Sequence, residues 1–303
     1  MFIKIFTAAI LVFFQTNLYA KPTIDELFKA EVSNASAIDE KLKTSLADKQ
    51  IVFVTGILNE IAFNYFWDFK KCLKKNWGIS DSVLIKPPSK IAAPDNVELL
   101  HDEFIRSYNL SNKPLVIITH SKGAIETFLT LMKYPQLITD GVVERFIAIN
   151  GAFKGSHIAD YLKGEESIST LDIHKEMLQR YFPGLWVLGK KETIKEVNDV
   201  MNTVNANDQK KVSEILYFVR TKGDKSHTES YMLAPNIYLQ KKYGDNDGLL
   251  LLDEQEPYGL GKDLGTIDEI DHVDLVVSYP FTTTSVHKRY AFLNVLLKQV
   301  FGY

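Results

Sequence analysis

The stretch Leu115–Gly123, L-V-I-I-T-H-S-K-G, most constrains what this chain can fold into. Its four leading apolar residues, three of them β-branched, read as a strand buried on both faces. They give way to Thr119-His120-Ser121-Lys122-Gly123, and Ala124–Lys133 then carries Ile125, Phe128, Leu129 and Met132 at helical spacing. Strand, sharp turn and helix leave Ser121 at the apex. A turn this tight forces its central residue into a sparsely populated backbone conformation and lifts the hydroxyl above the sheet edge. Small residues two places before and after the apex keep neighbouring chain clear. Gly123 meets that demand, whereas Thr119 is bulkier. An ordinary strand-to-helix turn has the same outline, so the flanking strand and helix, more than the short pattern, single out Ser121.

The chain opens with a different signal. Met1–Ala20 has one Lys, an apolar run from Ile5 to Phe14, and Leu18-Tyr19-Ala20 before Lys21-Pro22. About ten apolar residues fall short of the roughly 20 that span a bilayer and suit the core of an export signal. The expectation is a signal peptide over 1–20 and an exported mature chain, periplasmic or secreted, from Lys21; an uncleaved anchor is the alternative. Residues 21–303 are read as one α/β domain. A net charge of -3 argues against nucleic acid and strongly anionic membranes as main partners. The single cysteine, Cys72, rules out an intramolecular disulfide and any cysteine-based metal site.

Further strands are expected at Ile51–Val54, Ser82–Lys86, Val142–Asn150 and Glu214–Thr221, with helices at Val97–Tyr108 and Ser285–Gly302, the last covering a sheet edge. That alternation implies a mostly parallel sheet covered on both faces. Ile61, Tyr65, Phe69 and Leu73 fall at helical spacing and read as a core-facing stripe. Gly164–Lys211 holds no convincing strand. Gly155-Ser156 can begin a helix with a side-chain cap.

Four motifs together resemble the secreted bacterial lipase and esterase branch of the α/β-hydrolases: T-H-S-K-G at 119–123, F-K-G-S-x-x-A-D at 153–160, N-D-G-L at 246–249 and D-H-V-D-L-V at 271–276. Thr119 stands where that family usually has Gly, and Phe153 and Thr55 stand where it usually has His. The resemblance implies an α/β-hydrolase fold in which 164–211 forms a helical cap or lid, mobile at a lipid surface or fixed on the sheet. It implies Ser121 as nucleophile, His272 as base and Asp247 as acid, in the chain order Ser, acid, His. A serine hydroxyl needs an imidazole to take its proton, and the imidazole needs a carboxylate on its other nitrogen. The turn Thr55-Gly56-Ile57 after the early strand would supply one oxyanion-hole N–H, from Ile57, paired with that of Lys122.

Asp247 is preferred to Asp245 because the motif places the acid directly before Gly. His120 is expected to flank the pocket, and Asp271 and Asp274 to be solvated or structural. No cofactor is required. Asp274 occupies the place where some of these lipases hold a structural calcium. The implied activity is hydrolysis of carboxylic esters, on small-molecule or lipid substrates, with lipid contact through the cap. Two readings remain beside it: an acyltransferase with the same three residues, and a catalytically silent binding protein, motivated by Thr55, Thr119 and Phe153.

Overall fold

The computed structural model describes residues 21–35, 39–57, 59–60, 62–165, 175–182 and 184–302. The export-signal expectation on residues 1–20 lies outside the described residues. In chain order the elements are α1 (Ile24–Ser33), α2 (Glu40–Ala47), β1 (Gln50–Val54), α3 (Trp67–Cys72) continuing as a π-helical turn Leu73–Trp77, β2 (Val83–Ile85), α4 (Val97–Ser111), β3 (Leu115–His120), α5 (Lys122–Lys133), α6 (Gln136–Thr139), β4 (Val143–Ile149), α7 (His157–Lys163), α8 (Lys175–Tyr181), α9 (Lys190–Met201), α10 (Ala206–Ile215), β5 (Leu216–Lys222), α11 (Ser230–Lys242), β6 (Lys262–Asp268) and α12 (Val286–Phe301).

The strands form one six-stranded sheet in the order β2-β1-β3-β4-β5-β6, with every neighbouring pair parallel. The central strands β1 and β3 are buried along their whole length, whereas the edge strands β2 and β6 are partly exposed. This is the burial gradient that helices on both faces of a parallel sheet produce. Strand order reverses between β1 and β3. Crossovers that leave in opposite directions open a crevice beyond the carboxyl ends of those two strands, where ligands of open α/β sheets bind. Thr55 and Ser121 stand at those two ends.

Local rules account for the element boundaries. Thr23 and Glu26 form a reciprocal capping box at the start of α1. The Ser156 hydroxyl accepts the Ile158 N–H at 3.1 Å and caps α7, as its sequence suggested. Of the expected stripe, Ile61 lies outside the described residues and Tyr65 precedes the helix, since Phe66 adopts φ 54° and α3 starts at Trp67. Helix α12 packs on α1 and α3 more than on a sheet edge. Phe292 meets Phe28 and Phe69, and Arg289 reaches the buried Asp68 of α3 at 2.8 Å.

Between β4 and β5 the described residues contain helices and no strand. Helix α10 packs on α5 and β4 and serves as the crossover covering the sheet. Helix α9 packs on α5 as well and meets α7, so it belongs to the same layer; the rest of the expected 164–211 insertion among the described residues is α8 and the 3-10 turn Leu185–Leu188, and residues 166–174 and 183 lie outside the described residues. Leu178, Phe182 and Leu185 of this portion are buried. Lys190, at the start of α9, lies 2.9 Å from the Glu254 carboxylate, and burial pushes that carboxyl up to about 7.

Candidate active site

Ser121 ends β3 with φ 54° and ψ -126°, a conformation that costs a non-glycine residue on the order of 1–3 kcal/mol. Its own backbone holds it there. The Ser121 N–H donates to Ile149 O at 3.2 Å, and its carbonyl accepts the N–H groups of Ala124 at 3.0 Å and Ala152 at 3.2 Å. Two glycines make the close approach feasible. A Cβ on Gly56 would lie 2.8 Å from Ser121 Cβ, and one on Gly123 would lie 2.6 Å from Thr55 O. Thr119 fits despite its bulk, because its hydroxyl donates to Ile147 O at 3.2 Å and its register partner on β4 is Ala148. Phe153 is fully buried and packs edge-on against Phe128; the Thr55 hydroxyl reaches Ile85 O at 3.4 Å.

Residues far apart in sequence meet at this serine. His272 Nε2 lies 2.9 Å from Ser121 Oγ, and His272 Nδ1 lies 2.7 Å from Asp247 Oδ2. A carboxylate on Nδ1 keeps the proton on that nitrogen and leaves Nε2 to accept the serine hydroxyl. The other Asp247 oxygen accepts the N–H groups of Leu249 at 3.0 Å and Leu250 at 2.8 Å, while the Asp247 carbonyl accepts the His272 N–H at 2.8 Å. All three side chains are almost wholly buried. Asp245, the rival acid, points instead to Lys222 at 3.3 Å on the surface.

Asp271 and Asp274, which flank the histidine, are buried and structural. Asp271 Oδ1 accepts the N–H groups of Val273 at 3.0 Å and Asp274 at 3.1 Å, its Oδ2 accepts that of Glu229 at 3.0 Å, and Asp274 Oδ2 accepts the Asp271 N–H at 3.1 Å. Burial, then the Asp274 charge, pushes Asp271 well above the usual carboxylate range; burial raises Asp274 as well. Together they lock the turn that presents His272. The remaining Asp274 oxygen accepts the Thr282 hydroxyl. Calcium takes six to eight oxygen ligands, and each Asp274 oxygen here already accepts one hydrogen bond from the chain. Among the described residues the groupings of possible metal ligands are Asp224, His227 and Glu269, and Asp160, Glu165 and Glu192; neither includes Asp274.

Behind the serine lies a second polar line that the sequence did not disclose. His120 sits beneath the site instead of flanking a pocket. Its Nε2 is 2.7 Å from the His272 carbonyl, which can only accept, so the proton is on Nε2 and Nδ1 accepts the Tyr65 hydroxyl at 2.5 Å. The Tyr65 oxygen in turn accepts the Gly56 N–H at 3.1 Å, and Asn150 Nδ2 donates to the same His272 carbonyl at 3.2 Å. Burial, then the neighbouring His272, holds His120 well below the usual imidazole range and therefore neutral. Tyr65→Phe leaves the Gly56 N–H and His120 Nδ1 buried without their partner. Each such group costs about 1–3 kcal/mol. Urea unfolding of this variant is expected to show a lower midpoint at unchanged slope; a midpoint equal to wild type contradicts the role of that hydroxyl.

Ile57 is buried on the turn that leaves β1, one residue after Gly56, the residue that approaches Ser121. Lys122 is the first residue of α5, where a helix has no carbonyl of its own for the N–H. The Lys122 side chain is buried as well and pairs with Glu126.

The fold has solved counterparts. The metagenomic carboxyl esterase MGS0156 superposes with a TM-score of 0.59 at 19% identity, over 84% of this chain and 76% of that one. The mature lipase BlEst2 of Bacillus licheniformis gives 0.58 at 19% identity, over 80% of this chain and 88% of that one. No protein-family model matches the sequence, and no curated protein does either. The parallel sheet and these likenesses define an α/β-hydrolase fold.

Proposed function

We propose that the protein is a serine hydrolase of carboxylic esters, acting on lipid or other acyl esters through an acyl-enzyme. The observation that carries this reading is the continuous line Asp247–His272–Ser121, with contacts of 2.7 and 2.9 Å, ending on a serine in a strained turn. In this mechanism Ser121 Oγ attacks the ester carbonyl while His272 takes its proton. The imidazolium, stabilised by Asp247, returns the proton to the departing alkoxide. The N–H groups of Ile57 and Lys122 stabilise the oxyanion, the second aided by the positive end of α5. Water, activated by the same imidazole, then frees the acid.

The departures at Thr55, Thr119 and Phe153 give little support to a silent binding protein, because each is accommodated without disturbing the serine. The structural neighbours named as a carboxyl esterase and a lipase favour an ester substrate. Export from the cytoplasm completes the proposal. Among the described residues no helix is long and apolar enough to cross a membrane.

The test is fluorophosphonate labelling of the folded protein, followed by turnover of p-nitrophenyl esters of increasing chain length, with and without micelles. Labelling at Ser121 with release of p-nitrophenol supports the hydrolase. Ester formation with an added alcohol at the expense of free acid would reassign it as an acyltransferase. Folded protein that takes up no label sinks both enzymatic readings.

A further inference from the structure

We infer that the outer face of α3, with the aromatic turn before it and the loop at Tyr279, is a docking surface for an anionic lipid bilayer. The segment Trp67–Trp77 reads W-D-F-K-K-C-L-K-K-N-W, with lysines at 70, 71, 74 and 75. Lys71, Lys74 and Lys75 are exposed and Lys70 partly so. The acidic residue of the segment, Asp68, is turned inward to Arg289 at 2.8 Å. Positions 67 and 71 share one face of α3 at helical spacing, where Lys71 Nζ lies 5.0 Å from the centre of the Trp67 ring, and Lys74 and Lys75 follow, exposed, on the π-helical turn. This positive face belongs to a chain whose net charge is -3, so it is a local concentration of charge. Whole-chain charge, which spoke against anionic membranes, averages it away.

Aromatic rings supply the other half of a membrane-surface signature. Among the described residues five large apolar side chains are at least half exposed, and three of them are here: Tyr279 at 81%, Phe63 at 77% and Trp67 at 52%. Exposed rings beside lysines suit the headgroup zone, where the ring enters the interface and the ammonium meets lipid phosphate. The segments that carry them are bonded to one another. Asn64 Nδ2 donates to Ser278 O at 2.8 Å and Tyr279 O at 2.5 Å, and the Phe66 N–H donates to Val276 O at 2.7 Å. They also reach the candidate site, through Tyr65 to Gly56 and through Val276 to the turn of His272. Docking by this face would therefore set the crevice beside the bilayer. Three exposed rings beside lysines suit a deformable lipid surface better than an acidic protein, which would need a shaped counterpart. The cap, where the sequence placed lipid contact, offers Trp186 alone among these five side chains.

Co-sedimentation with phosphatidylcholine vesicles, with and without phosphatidylglycerol, tests this. The protein is expected to pellet with the anionic vesicles at low salt and to be released by high salt. Replacing the four lysines by Gln should weaken that binding by about tenfold or more. The pair Phe63→Ala and Trp67→Ala should weaken it too, while turnover of a soluble short-chain ester stays within about twofold of wild type. Ser121→Ala protein should bind as wild type does, which separates the surface from the ester chemistry. Equal pelleting with neutral and anionic vesicles, or undiminished binding of the lysine variant, overturns the inference. So does retention on polyglutamate resin, lost in the lysine variant, by a protein that ignores both kinds of vesicle; that result puts an acidic protein on this face.

Discussion

Ser121→Ala protein is expected to fold as wild type, to take up no fluorophosphonate, and to hydrolyse p-nitrophenyl esters more slowly by a factor on the order of 10⁴ to 10⁶. The hydroxyl is nearly buried and its contact outside its own turn is His272 Nε2, so losing it leaves one imidazole nitrogen short of a donor and creates almost no cavity. Stability should fall by about 1–3 kcal/mol, the cost of a buried acceptor left without its donor. Asp247→Asn should cost on the order of 10⁴, for a different reason. The amide can donate to His272 Nδ1, which moves the imidazole proton to Nε2 and points it at the serine. The remaining Asn oxygen can still accept the N–H groups of Leu249 and Leu250, so this variant keeps both bonds and loses only their charge assistance. The double variant should be no slower than Ser121→Ala alone, because the acid acts only through the histidine and the serine. Additive losses would mean that Asp247 acts elsewhere, and full activity in Ser121→Ala would end the proposed mechanism.

What could be read in the sequence, and what could not, follows from where each signal originates. Strand β3 announced itself because a strand covered on both faces must be apolar throughout, and the residues where that run stops are the turn that carries Ser121. Asp247 and His272 were found by resemblance; periodicity gave no hint of either. Strand β6, Lys262–Asp268, went unrecognised because it is an edge strand with Ile267 as its buried residue. Its strand character comes from pairing with β5 and from α1 lying against it, neither of which is a local property. Tyr65 looked like one more ring in a helical stripe. The left-handed Phe66 breaks that helix and turns the hydroxyl toward Gly56 and His120, and an aromatic at helical spacing carries no signal for that. Asp271 and Asp274 read as solvated or structural, with nothing in the sequence to choose between the two. Their burial expresses the need of a tight turn for side-chain acceptors, and becomes visible only once the turn is built.

Gly123→Ala sets two known effects against each other, and their sizes decide the outcome. Residue 123 lies in the first turn of α5, where replacing Gly by Ala ordinarily favours the helix by about 1 kcal/mol. Here the new Cβ would lie 2.6 Å from Thr55 O and 2.8 Å from Val54 O, and 3.1 Å from the Thr55 carbonyl carbon. All three are backbone atoms of β1 and its exit turn, with no flexible side chain to yield. The end of β1 is held in turn by its register with β2 and β3 and by the Thr55 N–H bond to Ile85 O at 3.1 Å. Relief must therefore come from moving α5 or the Thr55–Ile57 turn. Overpacking of this kind costs about 1–3 kcal/mol, enough to outweigh the helix-propensity gain. The same movement shifts Gly56 and Ile57 away from Ser121, and a displacement of about 1 Å at such a site can cost on the order of 100-fold in rate. Urea unfolding together with kcat/KM for a short ester measures both. The variant is expected to be destabilised and slowed together; a variant more stable than wild type, with its rate intact, would mean that β1 and the serine turn are not in the contact that defines this site.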